Sequence, residues 1–364
     1  MSGRVLIMAG GTGGHVFPAL AVARALAAHQ REIVWLGTKR GIEAQLVPAA
    51  GIRVEWIDIA GLRGKGPLAL LLAPLRIAQA TWQALAILRH VRPGVVLGCG
   101  GFVSGPGGFA AWLTRTPLVI HEQNAIAGLT NRLLSRIARR VATAFPGSFP
   151  AGSGGAVAVV GNPVRAEIVA LAAPATRFAA RQGPLRLLVF GGSQGARAIN
   201  TLLPAALALL PQEARPIVVH QCGRGHEQHT LGAYQELGVR AHVREFIDDM
   251  AGAYEWADLA VCRAGALTVS ELAAAGLGAV LIPFPAAVDD HQTHNARFLV
   301  QAGAARIVQE RDLTPESLAA LLAELLRQGR SGLGAMGVAA RRVAVTDAAE
   351  RVAALCLEVE RRAA

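Results

Sequence analysis

Three glycine-rich turns each follow an apolar run: Gly10-Gly11-Thr12-Gly13-Gly14-His15, the stretch from Gly100 to Gly108, and Gly191-Gly192-Ser193-Gln194-Gly195. Glycine lets the backbone turn tightly and come up to a ligand with no Cβ in the way. A helix that starts after such a turn presents unpaired N–H groups and the positive end of its dipole, which suits an anion such as a diphosphate. One turn of this kind serves equally well as a plain strand–helix connection; three in one chain favour ligand binding. His15 adds an imidazole to the first turn, and a neutral imidazole near pH 7 suits a general base. Capping its helix or positioning a hydroxyl is the other role open to it.

The first turn is a poor dinucleotide fingerprint. Gly11-Thr12-Gly13-Gly14-His15-Val16 keeps the first two glycines and puts Val16 in the third place. The second strand, ending Trp35-Leu36-Gly37-Thr38, lacks the acidic residue that would hold an adenine ribose. A stronger signal is the run Leu259 to Cys262, then Arg263-Ala264-Gly265, then Ala266 to Glu271 at the start of a helix. That turn suits a diphosphate, and Glu271 could accept from both ribose hydroxyls, although Thr268-Val269-Ser270-Glu271 also fits a capping box. Asp289-Asp290-His291-Gln292-Thr293-His294-Asn295 follows a later apolar run. With no DxD pair in the chain, sugar-hydroxyl recognition is the better reading there, and neither metal nor cofactor is expected.

The elements that must position these residues are apolar strands alternating with helices, the pattern of a parallel sheet covered on both faces. Val5 to Ala9, Glu32 to Leu36, Val54 to Ile57, Val95 to Leu97 and Leu118 to Ile120 form one series, and Pro18 to Ala28 reads as a helix. After a glycine-rich loop and the linker-like Gly161-Asn162-Pro163-Val164-Arg165, a second series begins. It comprises Leu185 to Phe190, Pro216 to His220, Val239 to Val243, Leu259 to Cys262 and Ala279 to Ile282. Polar and glycine residues gather where the strands end, the edge at which open parallel sheets bind ligands. The 364 residues suit two such α/β domains. The expected division is an N-terminal domain over 1–160, a nucleotide-binding domain over 161–345, and a helix over 346–364 that returns to the first domain.

A net charge of +11 favours an anionic partner. The basic residues are scattered and only two Tyr are present, so no nucleic-acid surface is expected. Cys99, Cys222, Cys262 and Cys356 stand far apart, as buried apolar residues of a reducing compartment do. The N-terminus lacks the apolar core of a signal peptide. Pro67 to Leu75, flanked by Arg63, Lys65 and Arg76, is too short to span a bilayer. It fits either an interfacial patch or a helix buried in the first domain.

Taken together, these motifs resemble the bacterial MurG family, the undecaprenyldiphospho-muramoylpentapeptide β-N-acetylglucosaminyltransferases. The likeness runs nearly end to end, through Gly10 to His15, Gly61-Leu62-Arg63-Gly64-Lys65-Gly66, Gly100 to Gly108 and His121-Glu122-Gln123-Asn124. It continues through Gly161 to Arg165, Gly191 to Ala196, Glu245 to Met250 and Ala266 to Glu271. The resemblance implies a GT-B fold, two Rossmann-like domains with the nucleotide sugar in the cleft. It implies inverting transfer of GlcNAc from UDP-GlcNAc to the C4 hydroxyl of MurNAc in lipid I, giving lipid II and UDP for peptidoglycan synthesis.

Carried over residue by residue, it places Thr12, Gly13, Gly14 and Asn124 at the donor sugar and diphosphate, with Arg165 and Ser193 reaching the diphosphate. Ile247 would meet uracil through its backbone. Ala266, Leu267, Thr268, Val269, Ser270 and Glu271 would hold phosphate and ribose, Gln292 would bind the GlcNAc hydroxyls, and His15 is the candidate base. Phe102 stands where many relatives carry Tyr, so a hydroxyl there is not required. The implied partners are UDP-GlcNAc, lipid I, the cytoplasmic face of the inner membrane as a peripheral site, and other cell-wall synthesis proteins. A UDP-GlcNAc 2-epimerase would share the donor site but need no lipid, and a non-catalytic nucleotide-sugar-binding or membrane scaffold protein is the alternative of another class.

Overall fold

The computed structural model describes residues 3–61, 71–150, 156–192 and 194–363. The chain forms two compact units, Met1–Arg165 with Val345–Ala364, and Ala166–Ala344. Each is built on a wholly parallel sheet.

In the first unit the strands are β1 (Arg4–Met8), β2 (Glu32–Gly37), β3 (Arg53–Trp56), β4 (Val95–Gly98), β5 (Leu118–Glu122), β6 (Arg140–Thr143) and β7 (Ala156–Val159). Their order is β3-β2-β1-β4-β5-β6-β7. β1 explains why the sequence folds this way. Val5 and Ile7 enter an apolar cluster on one face, Leu6 and Met8 a second cluster on the other, and none of the four is exposed. A strand apolar on both faces is stable only between two helical layers.

Helix Ala73–Val91 covers one face through Ala80, Ala84, Leu88 and Val91, a stripe at three- and four-residue spacing. Helices Gly13–Ala28 and Ala348–Ala363 cover the other, where Val352, Ala353, Cys356 and Val359 join Val16, Ala19, Val22 and Leu26. The chain thus returns at its end to complete the core laid down at its beginning. Pro18 lies inside the first of these helices, which starts at Gly13 rather than at Pro18.

In the second unit the strands are β8 (Arg186–Phe190), β9 (Ile217–Gln221), β10 (Ala241–Arg244), β11 (Leu259–Cys262), β12 (Ala279–Leu281) and β13 (Ala305–Ile307), in the order β10-β9-β8-β11-β12-β13. In both sheets the strand order reverses beside the first strand, between β1 and β4 and between β8 and β11. Ligands of doubly wound sheets bind outside the carboxyl ends of the strands at such a reversal. Glycine turns follow β1, β4 and β8, and the small-residue turn Arg263-Ala264-Gly265 follows β11. Each unit therefore carries its chemical motifs at its own switch point.

Candidate functional site

The turns after β1 and β4 touch. A Cβ on Gly101 (φ +80) would lie 2.3 Å from the Gly10 carbonyl oxygen, and one on Gly100 (φ +94) would lie 2.7 Å from Nδ1 of His15. Only glycine lets the β4 turn run beneath the imidazole at that distance. The rest of the second glycine motif has another purpose. Gly105, Gly107 and Gly108 lie inside helix Ser104–Leu113. Side chains at Gly107 and Gly108 would collide with Met8 and Leu134. Gly107 lets the helix pack closely on the sheet, and Gly108 lets it pack on helix Leu129–Leu134.

Helix Gly13–Ala28 begins directly after Thr12, whose side chain makes no capping bond, and its first bonds run from His15 and Val16 to the Thr12 carbonyl. Thr12 and Gly14 are exposed and Gly13 is half-buried, so the positive end of this 16-residue helix faces outward. The turn is tied down by a residue that spacing did not reveal. Glu43, wholly buried, accepts from Gly11 N–H at 2.9 Å and from the backbone and hydroxyl of Thr38 at 3.1 and 2.7 Å.

Beside this turn, at the end of β5, stands His121-Glu122-Gln123-Asn124. Glu122 is buried and organises the loop beyond it. One oxygen accepts from the Asn124 backbone at 2.9 Å and side chain at 3.2 Å; the other accepts from Gly128 N–H at 3.0 Å and Asn131 Nδ2 at 2.9 Å. Gln123 reaches His15, its Oε1 lying 3.2 Å from Nδ1. Burial lowers the pKa of His121, keeping that imidazole neutral. Arg165 stacks its guanidinium over the Phe17 ring of the first helix, 5.6 Å from its centroid. His15, Thr12 to Gly14 and Gln123-Asn124 thus gather at one sheet edge, with Arg165 against the helix that leaves it.

In the second unit, Gly265 is the N-cap of helix Ala266–Ala275 and offers no side-chain acceptor. The first intrahelical bond is Val269 N–H to the Gly265 carbonyl at 2.9 Å, so the N–H groups ahead of it are not used by the helix. Thr268 lies within the helix rather than at its cap, which removes the capping-box reading of Thr268 to Glu271. Glu271 is buried, and its Oε2 accepts from Tyr254 Oη at 3.0 Å. The Val269 side chain is wholly buried, while Leu267, Thr268 and Ser270 are half-buried. Arg263 is engaged by an ion pair with Glu310 and donates to the carbonyls of Ile282 and Pro283.

Gln292 directs Oε1 to the backbone N–H groups of Ala264 and Phe284, at 3.2 and 2.9 Å, leaving its Nε2 as a donor beside the same turn. Ile247 lines an open groove of about 560 Å³ with Phe246, Asp249 and Trp256. Ser193 lies outside the described residues. Among the described residues, no group of three or more His, Cys, Asp or Glu is arranged to hold a metal ion.

Residues 67–70 of the apolar stretch also lie outside the described residues. Leu71 and Leu75 stand in solvent, with Leu71 75% exposed, and Ala73 is buried. Ile77 and Trp82 are also exposed, the latter 71% exposed and on the same face of helix Ala73–Val91 as Leu75. Phe109, Trp112 and Leu113 are exposed on helix Ser104–Leu113, which packs beside it, and the rings of Phe109 and Trp112 stack at 5.4 Å.

The family model for the glycosyltransferase family 28 N-terminal domain matches residues 5–143, and that for the family 28 C-terminal domain matches residues 186–352. A protein of Chromohalobacter salexigens is 58% identical, covering 98% of this chain and 97% of its own length. One of Nitrosococcus oceani is 56% identical over 99% of each. Both are named UDP-N-acetylglucosamine--N-acetylmuramyl-(pentapeptide) pyrophosphoryl-undecaprenol N-acetylglucosamine transferase. The crystal structure of Acinetobacter baumannii MurG is similar at a TM-score of 0.82 and 42% identity, covering 98% of this chain and 99% of that one. The calicheamicin glycosyltransferase CalG4, at 18% identity and a TM-score of 0.70, shares the fold.

Proposed function

Since the chain belongs to glycosyltransferase family 28 and has its GT-B fold, we propose a division of labour between its two units for the reaction of that family's MurG members. That reaction is transfer of N-acetylglucosamine from UDP-GlcNAc to lipid I, which makes this chain a peptidoglycan-synthesis enzyme. The observation that carries the division is the His15 imidazole at the first switch point and, at the second, a helix N-terminus with the buried Glu271 carboxylate inside its first turns.

In the first unit His15 takes the proton of the MurNAc C4 hydroxyl. The oxygen attacks C1 of the donor sugar from the face opposite UDP, and the C1–O bond breaks with its electron pair on the diphosphate. The α-linked donor becomes a β-glycoside. Thr12, Gly13, Gly14 and Asn124 hold the sugar, and Arg165 reaches the diphosphate; Ser193, outside the described residues, is assigned to the diphosphate by the family resemblance alone. In the second unit, the N–H groups at the start of helix Ala266–Ala275 take up the charge of the departing diphosphate, which a preorganised dipole does without reorganisation. The segment Ala266 to Ser270 contacts the phosphates, Glu271 accepts from the ribose hydroxyls, Ile247 pairs with uracil through its backbone, and Gln292 Nε2 donates to GlcNAc.

No described helix is long and apolar enough to cross a membrane. In this reading the lipid-linked acceptor is met at the membrane surface. The exposed Leu71, Leu75, Ile77, Trp82, Phe109 and Trp112, with Arg76 beside them, suit peripheral binding to an anionic bilayer. Lipid I lies in the cytoplasmic leaflet in this reading, and the patch seats the first unit there.

Incubation with UDP-GlcNAc and a lipid I analogue is expected to yield the disaccharide and UDP; UDP-ManNAc, or binding without turnover, would overturn the reading. His15→Ala and His15→Gln should each lower kcat by about 10²–10⁴-fold. Turnover near the wild-type rate in either would remove the base assignment.

A further inference from the structure

We propose that Gln123 is a positioning residue that fixes the tautomer of His15, so that Nδ1 carries the proton and Nε2 presents the basic lone pair. The inference rests on the reading of His15 as the general base, and the hydrogen-bond chain that carries it can be assigned from its fixed ends.

One end is the Gly161 carbonyl, 2.9 Å from Nε2 of His121. A carbonyl only accepts, so that nitrogen bears the hydrogen. His121 is fully buried and neutral, which leaves its Nδ1 as an acceptor. The other end is the Cys99 carbonyl, 2.7 Å from Nε2 of Gln123. Were the Gln123 amide turned over, its oxygen would face that carbonyl, two acceptors at contact. The amide nitrogen must therefore point there. Its second hydrogen goes to Nδ1 of His121 at 3.2 Å. Both ends demand the same orientation.

Oε1 of Gln123 is then the atom facing Nδ1 of His15 at 3.2 Å. An amide oxygen accepts, so Nδ1 of His15 is the N–H nitrogen and Nε2 is unprotonated in the neutral ring. Among the described residues no hydrogen bond engages that Nε2. Two further contacts fix the arrangement. Asn162 Nδ2 donates to the Gln123 carbonyl at 3.1 Å, and the ring of His15 rests over Gly100, where a Cβ would come within 2.7 Å of Nδ1. Gln123 is 2% exposed, so no solvent competes for its amide. A neutral amide in this position sets the tautomer without adding a charge beside the base.

The test is 15N NMR of the full chain labelled at histidine, near pH 8.5 where a free imidazole is about 99% neutral, with the His15 signals identified by their loss in His15→Gln. The wild-type ring is expected to be protonated at Nδ1 and bare at Nε2. Gln123→Met keeps nearly the same volume and removes both the donor and the acceptor of the amide. In it the His15 signals should move toward the Nε2–H form that a free imidazole favours. The value of kcat should fall roughly ten- to a hundredfold, with KM for UDP-GlcNAc within about twofold, as expected of a change confined to the transition state.

A wild-type His15 protonated at Nε2 overturns the inference whether or not the variant folds. So does a Gln123→Met protein whose His15 signals and kcat are both unchanged. If the tautomer moves in Gln123→Met while kcat holds, and His15→Gln is active, Gln123 still sets the tautomer and the base role of His15 is what fails.

Discussion

Glu43 and Gly11 are 32 residues apart in the chain, yet the buried carboxylate of the first accepts the backbone N–H of the second at 2.9 Å. The same side chain ties the end of β2 to the glycine turn after β1, since its other oxygen takes Thr38. A Cβ on Gly10 would come within 2.6 Å of Oε1 of Glu43. Glu43→Ala strands two N–H groups and a hydroxyl in the interior, at a cost on the order of 2 kcal/mol. Thermal denaturation should show a Tm lower by about 4–8 °C. An unchanged Tm would mean that water or a neighbour replaces the carboxylate and the turn does not depend on it.

Tyr254 stands in the same relation to the second switch point. Its hydroxyl donates to Oε2 of Glu271 at 3.0 Å and so aims the carboxylate assigned to the ribose. Tyr254→Phe removes a bond of about 1 kcal/mol and is expected to raise KM for UDP-GlcNAc about fivefold with kcat little altered. Glu271→Ala should raise it further. Steady-state kinetics on both variants decides the matter, because a lower Tm with KM unmoved would make the pair a core contact only.

The exposed apolar surface on the first unit gives a prediction that leaves the fold intact. Leu71 and Leu75 already stand in solvent, so Leu71→Glu/Leu75→Glu should fold as wild type and lose co-sedimentation with anionic liposomes by about tenfold or more, from lost apolar burial and added repulsion. Turnover of a soluble acceptor analogue should be unaffected. Undiminished co-sedimentation would place membrane contact elsewhere.

Stability should fall in acid for a reason visible in the second unit. His220 is buried, Nδ1 beside Tyr234 Oη at 3.0 Å and Nε2 beside Asn200 Oδ1 at 3.1 Å, and burial lowers its pKa to about 3. The unfolded chain binds its proton near 6.5. Between those values the unfolded state therefore holds more protons than the folded one, and the stability present above pH 6.5 drains away as the pH falls toward 3. His121, lowered in the same direction, adds to it. Melting curves of the wild type should show Tm declining from pH 6.5 downward, with a shallower decline in His220→Gln. A Tm flat between pH 6.5 and 4.5 would contradict this.

Where the sequence was legible, it was because one physical pattern dominated. Strands such as Val5 to Met8 are apolar on both faces and end in glycine, so class, alternation and the edge that carries the chemistry could be read directly. β6, β7 and β13 could not. β6 and β13 each carry an arginine within three or four residues, Arg140 and Arg306, which breaks the apolar run. β7 is apolar in sequence but lies at the sheet edge, largely exposed, where an apolar run is not what burial demands. Gly105 to Gly108 looked like more of the same turn because composition does not distinguish a glycine that makes room for Met8 from one that makes room for a ligand. Glu43 and Tyr254 were missed for a related reason: each acts across an interval fixed by tertiary contact, which leaves no periodic trace. Gln123 lay within a recognised motif, but its role rests on the Cys99 and Gly161 carbonyls, and backbone acceptors are invisible in a string of side chains.

The helix Ala348–Ala363 has a consequence for how this enzyme is born. Its Val352, Ala353, Cys356 and Val359 fill the same cluster as the first helix of the chain. On the ribosome the amino-terminal sheet is made first but waits with one flank only partly covered, by helix Gly13–Ala28, while all of the second unit is synthesised. The second unit, continuous in sequence from Ala166 to Ala344, can close before its elder neighbour. A nascent chain that stops short of these helical turns would carry all three glycine-rich turns and His15 and still lack part of the layer that covers the first sheet. The core of the first unit is therefore finished only after the second unit has been synthesised, and apolar surface open in the interval is what a chaperone would meet.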